Sequence, residues 1–303
     1  MALLKKSSVF PRFPGADMEI KKITVLGAGI MGSGIAHVAA AAGYRTNLYD
    51  ISKEMLAGAL GQIRINLQKG VELKKITPEQ MEDAMSSINC CEDLEEVADS
   101  DFIIEAVPEN IELKLKIYSS LDRSAPGHTI FASNTSGLSI TEMAASTSRP
   151  QKFIGMHFFN PVHKMKLVEI IRGLETDSET FDSTDTVARQ MGKETVSIRE
   201  SPGFVTSRIN ALIGNEAFYM LQEGIASAED IDKALKLGLN HPMGPFELVD
   251  LVGLDTRLSI LTHLHETLGE KYRPCPLLVK YVKAGRLGRK AGRGVYEYPE
   301  KKQ

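Results

Sequence analysis

Apolar positions along this chain change rhythm once, near residue 200. Before that point, short apolar runs rich in β-branched residues alternate with longer stretches in which apolar positions recur at helical spacing. The runs EIKKITVLG, YRTNLYD, DFIIEAV, HTIFAS, FIGMHFF, KLVEIIRG and ETVSI predict strands. Between them the spacing predicts helices from about Ile30 to Ala42, Lys53 to Lys69, Pro78 to Ser86 and Asn110 to Leu121, with another beginning near Ser139. After Pro202-Gly203 the periodicity is almost wholly helical: Arg208 to Gln222, Ala228 to Leu237, Gly244 to Leu251 and Thr256 to Leu268. Strands alternating with helices argue for a doubly wound, mostly parallel α/β sheet over residues 18–201, followed by an all-helical domain over residues 202–303.

Bulk properties narrow the class. The chain has 303 residues, and a single core rarely outgrows roughly 250–300, so two domains are expected. A net charge of −3 gives no reason to expect nucleic acid or an anionic membrane as partner. No apolar run approaches the roughly 20 residues of a spanning helix. Three cysteines, Cys90, Cys91 and Cys275, make no disulfide framework, which points to a reducing, cytoplasmic compartment. Residues 1–17, with Lys5, Lys6, Arg12, Pro11 and Pro14, read as a disordered extension or leader, with a transit peptide as the alternative.

The first chemistry lies between the first strand and the first helix. Gly27-Ala28-Gly29-Ile30-Met31-Gly32 is a G-x-G-x-x-G turn, which identifies the sheet as Rossmann-type. Gly27 permits the turn, Gly29 lets a pyrophosphate approach the backbone, and Gly32 lets helix and sheet pack closely. The helix N-terminus, carrying the N–H groups of Ile30 and Met31, offers donors and a positive dipole end to phosphates. Asp50 ends the next strand, where a carboxylate holds ribose hydroxyls and repels a 2′-phosphate, so NAD is favoured over NADP. A ligand-free glycine turn is the alternative.

Ligands of open α/β sheets bind outside the carboxyl ends of the strands. AVPEN, with Glu109 and then Lys114, and SNTSG, with Ser133, Asn134, Thr135 and Ser136, leave strands on that side. The second set could equally cap the helix near Ser139. In HFFNP, His157 interrupts an apolar strand, and Glu169 interrupts the next one in KLVEII. If those strands are neighbours, the carboxylate can hold one ring nitrogen, fix the tautomer and raise the pKa, as a general base near neutral pH requires. A buried structural pair is the alternative. The seven histidines show no His-x-x-x-His pair, which disfavours a metal site. The basic run KAGRLGRKAGRG, including Lys290, reads as a solvated tail or a phosphate contact, and as a nucleic-acid contact only after those.

Taken together, GAGIMGSGIA, EAVPEN, SNTSGLSI, GMHFFNPVHKMKLVEII, SPGFVTSRI and HPMGPFELVDLVGLD resemble the L-3-hydroxyacyl-CoA dehydrogenase family, in order, from Met18 to about Tyr298. The resemblance is to its short-chain, single-function members. It implies an NAD-binding domain and a helical domain that completes the substrate cleft and forms a homodimer. The implied reaction is reversible oxidation of (S)-3-hydroxybutyryl-CoA to acetoacetyl-CoA, in fatty acid or butanoate metabolism. On this resemblance His157 is the catalytic histidine and Glu169 its partner, while Ser136 contacts substrate and nicotinamide. Asp50, Glu109, Lys114, Asn160 and Lys290 contact the cofactor. Two places depart from the family pattern. Ser207 stands where an asparagine helps hold the keto group, and Asn66 and Leu73 stand at a serine and a lysine position that touch CoA, with Lys69, Lys74 or Lys75 as substitutes. Two other readings share the scaffold: a sugar-acid dehydrogenase of the gulonate type, and a non-catalytic NAD-binding structural protein.

Overall fold

The computed structural model describes residues 19–298, so the extension expected over residues 1–17 lies outside the described part. The chain divides into two compact units between Glu200 and Ser201.

In the first unit the elements run β1 (Lys22–Leu26), α1 (Ile30–Ala41), β2 (Arg45–Tyr49), α2 (Lys53–Glu72), α3 (Pro78–Ser86), β3 (Ile88–Cys91), α4 (Leu94–Val97), β4 (Phe102–Glu105), α5 (Ile111–Ser124), β5 (Ile130–Ser133), α6 (Ile140–Ala145), β6 (Phe153–Phe158), β7 (Leu167–Arg172), α7 (Ser178–Gln190) and β8 (Glu194–Arg199). The strands form one sheet in the order β3-β2-β1-β4-β5-β6-β7-β8. Only the β6–β7 pair is antiparallel. The chain leaves β1 toward β2 and β3 on one side and returns to β4 on the other, so the order reverses at β1/β4 and opens a crevice at the strand carboxyl ends.

Local chemistry explains the elements. The inner strands FIIE, IFAS and FIGMHF are buried at every position, as strands covered on both faces must be. Side-chain caps start the helices: Ser52 accepts from the Met55 N–H, Asn110 from Leu113, and Thr77 with Gln80 forms a reciprocal box ahead of Pro78. The core joins Ile23, Val25, Leu48, Ile104 and Ile154 of the sheet to Ile35, Ala36, Ile63 and Leu67 of α1 and α2.

The second unit comprises α8 (Thr206–Gln222), α9 (Ala228–Gly238), α10 (Pro245–Val252), α11 (Leu254–Leu268) and α12 (Pro276–Lys283). Phe218 meets Phe246 edge-on at 5.2 Å within a core that includes Leu261, Leu264, Tyr272 and Leu278. Two buried carboxylates brace it. Asp232 accepts the Phe246 and Glu247 N–H groups at the start of α10, and Asp250 accepts those of Val295 and Tyr296. Among the described residues no helix is long and apolar enough to cross a membrane.

Candidate active site

The glycine turn leaves β1 with the geometry a dinucleotide requires. Gly27 has φ +97°, and a Cβ there would stand 2.7 Å from the Ala106 carbonyl oxygen. A Cβ on Gly32 would run into the Gly27 carbonyl oxygen, so α1 can lie this close to the turn only with glycine at that position. At Gly29, by contrast, a Cβ would meet nothing within 4 Å, which leaves open space at the position where a pyrophosphate approaches. No side chain caps α1, so the first-turn N–H groups of Ile30, Met31 and Gly32 have no side-chain acceptor. Asp50 braces the turn: Oδ2 accepts from Ala28 N–H at 2.8 Å and Oδ1 from Ser52 N–H at 3.0 Å. Each oxygen retains lone-pair capacity for a ribose hydroxyl. The residues present fit a dinucleotide.

His157 and Glu169 are register partners in the antiparallel β6–β7 ladder, which puts their side chains on the same face. Glu169 is 0% exposed and His157 6%. His157 Nδ1 lies 2.8 Å from Glu169 Oε2, and Nε2 lies 3.2 Å from Ser136 Oγ. With Nδ1–H donating to the carboxylate, Nε2 carries the lone pair and accepts from the serine hydroxyl. The Phe159 ring packs 4.6 Å from the imidazole. The sequence placed His157, Glu169 and Ser136 on three separate segments, and the sheet brings them into one hydrogen-bonded line.

Behind Ser136 lies a second polar line. Glu109 accepts from the Ser136 N–H at 3.0 Å and from the Thr135 hydroxyl. Lys114 Nζ, on a side chain 1% exposed, is 3.2 Å from Glu109 Oε2 and 2.5 Å from Glu105 Oε1. Glu105, 0% exposed, also accepts from Val107 N–H at 2.8 Å and Ser133 Oγ at 2.6 Å. Tyr118 donates to the Ala132 carbonyl at 3.1 Å, and burial followed by the Glu105 charge raises its pKa well above the ordinary phenol value. The sequence reading missed Glu105. The available signal was an acid ending the apolar strand DFIIEAV, the same signature that singled out Glu169.

A cavity of about 420 Å³ opens beside the glycine turn, lined by Gly29, Ile30, Met55, Asn66, Asn160 and His163 among others. Thus Asn66 and Asn160 reach a common space, whereas Lys69 is exposed and does not line it. At its edge His163 stacks on His37 of α1 at 5.4 Å. Burial, with the neighbouring His163 and Lys193 charges, pushes His37 down to about 4, and burial pushes Lys193 down to about 8. Ser207 and Lys290 belong to the second unit. There Ser207 occupies the first turn of α8, and Lys290 Nζ lies 2.7 Å from Asp255 Oδ2.

Comparison with known proteins decides the family. The profile for "3-hydroxyacyl-CoA dehydrogenase, NAD binding domain" matches residues 22–201, and that for "3-hydroxyacyl-CoA dehydrogenase, C-terminal domain" matches residues 203–298. The chain belongs to the 3-hydroxyacyl-CoA dehydrogenase family. It is 51% identical to the probable 3-hydroxybutyryl-CoA dehydrogenase of Bacillus subtilis, over 94% of this chain and 99% of that one. It is 42% identical to the human mitochondrial hydroxyacyl-coenzyme A dehydrogenase, over 92% and 91% of the two chains. Its fold superposes on the crystal structure of (S)-3-hydroxybutyryl-CoA dehydrogenase from Ralstonia eutropha with a TM-score of 0.91, at 42% identity, covering 93% of this chain and 100% of that chain. The first unit therefore matches the NAD-binding domain of the 3-hydroxyacyl-CoA dehydrogenase family.

Proposed function

We propose that this chain is an NAD-dependent oxidoreductase interconverting (S)-3-hydroxybutyryl-CoA and acetoacetyl-CoA, with a place in fatty acid or butanoate metabolism. The observation that carries the reading is the line Glu169–His157–Ser136, which runs along the carboxyl-end side of the sheet where the glycine turn also lies. The names of the relatives above support the substrate class.

NAD bound at the glycine turn supplies the hydride acceptor, and NADH the donor in reverse. His157 Nε2 takes the proton of the 3-hydroxyl group, and returns it to the oxygen in the opposite direction. A base so placed is worth about 10²–10⁴-fold in rate. Glu169 holds the ring by Nδ1 and stabilises the imidazolium. The Ser136 hydroxyl hydrogen-bonds the oxygen at C3. Asn160, Glu109 and Lys114 are assigned to the cofactor, as is Lys290. Ser207 is assigned to the substrate keto group, and Asn66 and Lys69 to CoA. These assignments rest on the family resemblance.

The division into an NAD-binding domain at 18–201 and a substrate and dimerisation domain at 202–303 is part of the proposal. Exposed Val205, Ile209, Leu237 and Leu239 on the second unit support a homodimer formed through it, which light scattering of the purified chain tests. Three free cysteines support a reducing, cytoplasmic location, which cell fractionation tests.

The deciding experiment is the initial rate of NADH oxidation with acetoacetyl-CoA, set beside longer 3-ketoacyl-CoA chains, NADPH as donor, and sugar acids with NAD. Turnover is expected with acetoacetyl-CoA and NADH. Faster turnover of a sugar acid would shift the reading to the gulonate type, and NADH binding without turnover of any acyl-CoA would make the chain a non-catalytic binder.

A further inference from the structure

The buried charges Glu105 and Lys114 touch neither His157 nor Glu169 in any hydrogen bond described above, yet they are among the most deeply buried ionisable groups of the first unit. Burying an ammonium and a carboxylate is unfavourable unless every remaining donor and acceptor is satisfied. Here the satisfying groups all belong to the segments that carry the site. Glu105 and Ser133 are register partners at the last positions of β4 and β5. Glu105 Oε1 takes Lys114 Nζ and the Val107 N–H, and Oε2 takes the Ser133 hydroxyl.

Lys114 then reaches on to Glu109. Glu109 sits on an exposed loop, where its carboxylate would otherwise sample several rotamers. Held by Lys114, it fixes the Ser136 N–H and the Thr135 hydroxyl. The Thr135 hydroxyl oxygen accepts the N–H groups of Gly137 and Leu138, which closes the turn around Ser136. Asn134 ties the same loop to the neighbouring strands: its N–H donates to the Glu105 carbonyl, and its Oδ1 accepts the Phe158 N–H next to His157.

We infer that Glu105 is a positioning residue, which through an ion chain running from buried Glu105 and Lys114 out to Glu109 sets the placement of the Ser136 hydroxyl against His157. The inference deepens the proposed function and rests on it. The physical reason is that a serine on an exposed loop has no packing to fix its geometry. A run of charge-assisted hydrogen bonds anchored in the sheet supplies that stiffness. Small misplacement of a reacting group costs about 10²-fold in rate.

The test is a double-mutant cycle on the full chain at saturating NADH and acetoacetyl-CoA. Glu105→Gln keeps the side-chain shape and removes the charge that holds Lys114. We expect it to lower kcat about 10- to 100-fold in the otherwise unchanged enzyme. In a Ser136→Ala background the same change is expected to lower kcat less than about twofold, because its effect runs through the missing hydroxyl. Equal losses in both backgrounds, or no loss in the first, would overturn the inference. Ser133→Ala, which removes a neutral donor to Glu105, serves if Glu105→Gln does not fold. Its expected loss is about fivefold and again disappears in Ser136→Ala. The failure of the parent reading looks different: undiminished turnover in His157→Gln removes the base itself, whatever the cycle shows.

Discussion

Replacing Glu169 by glutamine tests the proposed dyad at its least exposed point. The side chain keeps its volume, so the fully buried site between β6 and β7 stays filled. Two things change. First, the hydrogen bond from His157 Nδ1 at 2.8 Å loses its charge. Hydrogen bonds to charged partners contribute about 1.5–3 kcal/mol against about 1 kcal/mol for neutral ones. The imidazolium that forms when the proton is taken therefore loses about 0.5–2 kcal/mol, or about 2- to 30-fold in rate. Second, an amide can turn its NH₂ toward Nδ1. That pairing places the ring proton on Nε2, which then has no lone pair for the substrate proton, and the equivalent swap in a Ser-His-Asp triad costs about 10⁴-fold. Together the two effects predict a fall in kcat of at least about 10²-fold for Glu169→Gln, with NADH affinity retained because no dinucleotide contact is touched. Steady-state NADH oxidation with acetoacetyl-CoA and a fluorescence titration of NADH measure the two quantities. A kcat within tenfold of the parent enzyme would refute the reasoning, since neither the charge nor the tautomer would then matter.

Two further perturbations act on the same unit. Gly32→Ala drives a methyl group into the Gly27 carbonyl, a backbone atom that cannot give way, so thermal unfolding is expected to show a loss of at least about 1–3 kcal/mol together with weakened NADH binding; unaltered binding would contradict a dinucleotide site at this turn. His37 titrates near 4 in the folded chain against 6.5 unfolded, so the unfolded chain binds the extra proton first and stability falls as pH drops from 6.5 to 4. The difference amounts to about 3 kcal/mol, and His37→Gln is expected to flatten that decline in urea unfolding across the window; parallel declines would refute it.

Much of this molecule was legible as a string. The strand and helix rhythm up to Ile198, the glycine turn and the acid after β2 follow from period and local backbone chemistry, which act over a few residues. Elements whose own composition argues against them were not legible. β3, INCC, is short and half polar and exists because it pairs with β2. α7, rich in Ser, Thr and Asp, has weak helical propensity and forms by burying Thr180, Ser183, Thr184 and Val187. Lys114 stands out in the sequence as a candidate cofactor contact beside Glu109, but its pairing with Glu105 was not legible; only the placement of α5 against β4 and β5 makes it a buried ammonium between two carboxylates.

The residue types capable of the chemistry were determined by the sequence alone: an imidazole and an acid each interrupting an apolar strand, and a hydroxyl-rich turn after a third. Whether they meet was decided by the tertiary structure. The single antiparallel step from β6 to β7, in the register that sets His157 opposite Glu169, brings them to 2.8 Å. A slip of one residue would have turned Glu169 to the other face of the sheet. Register depends on the summed packing of all eight strands, a sum over distant contacts that no local run of residues contains.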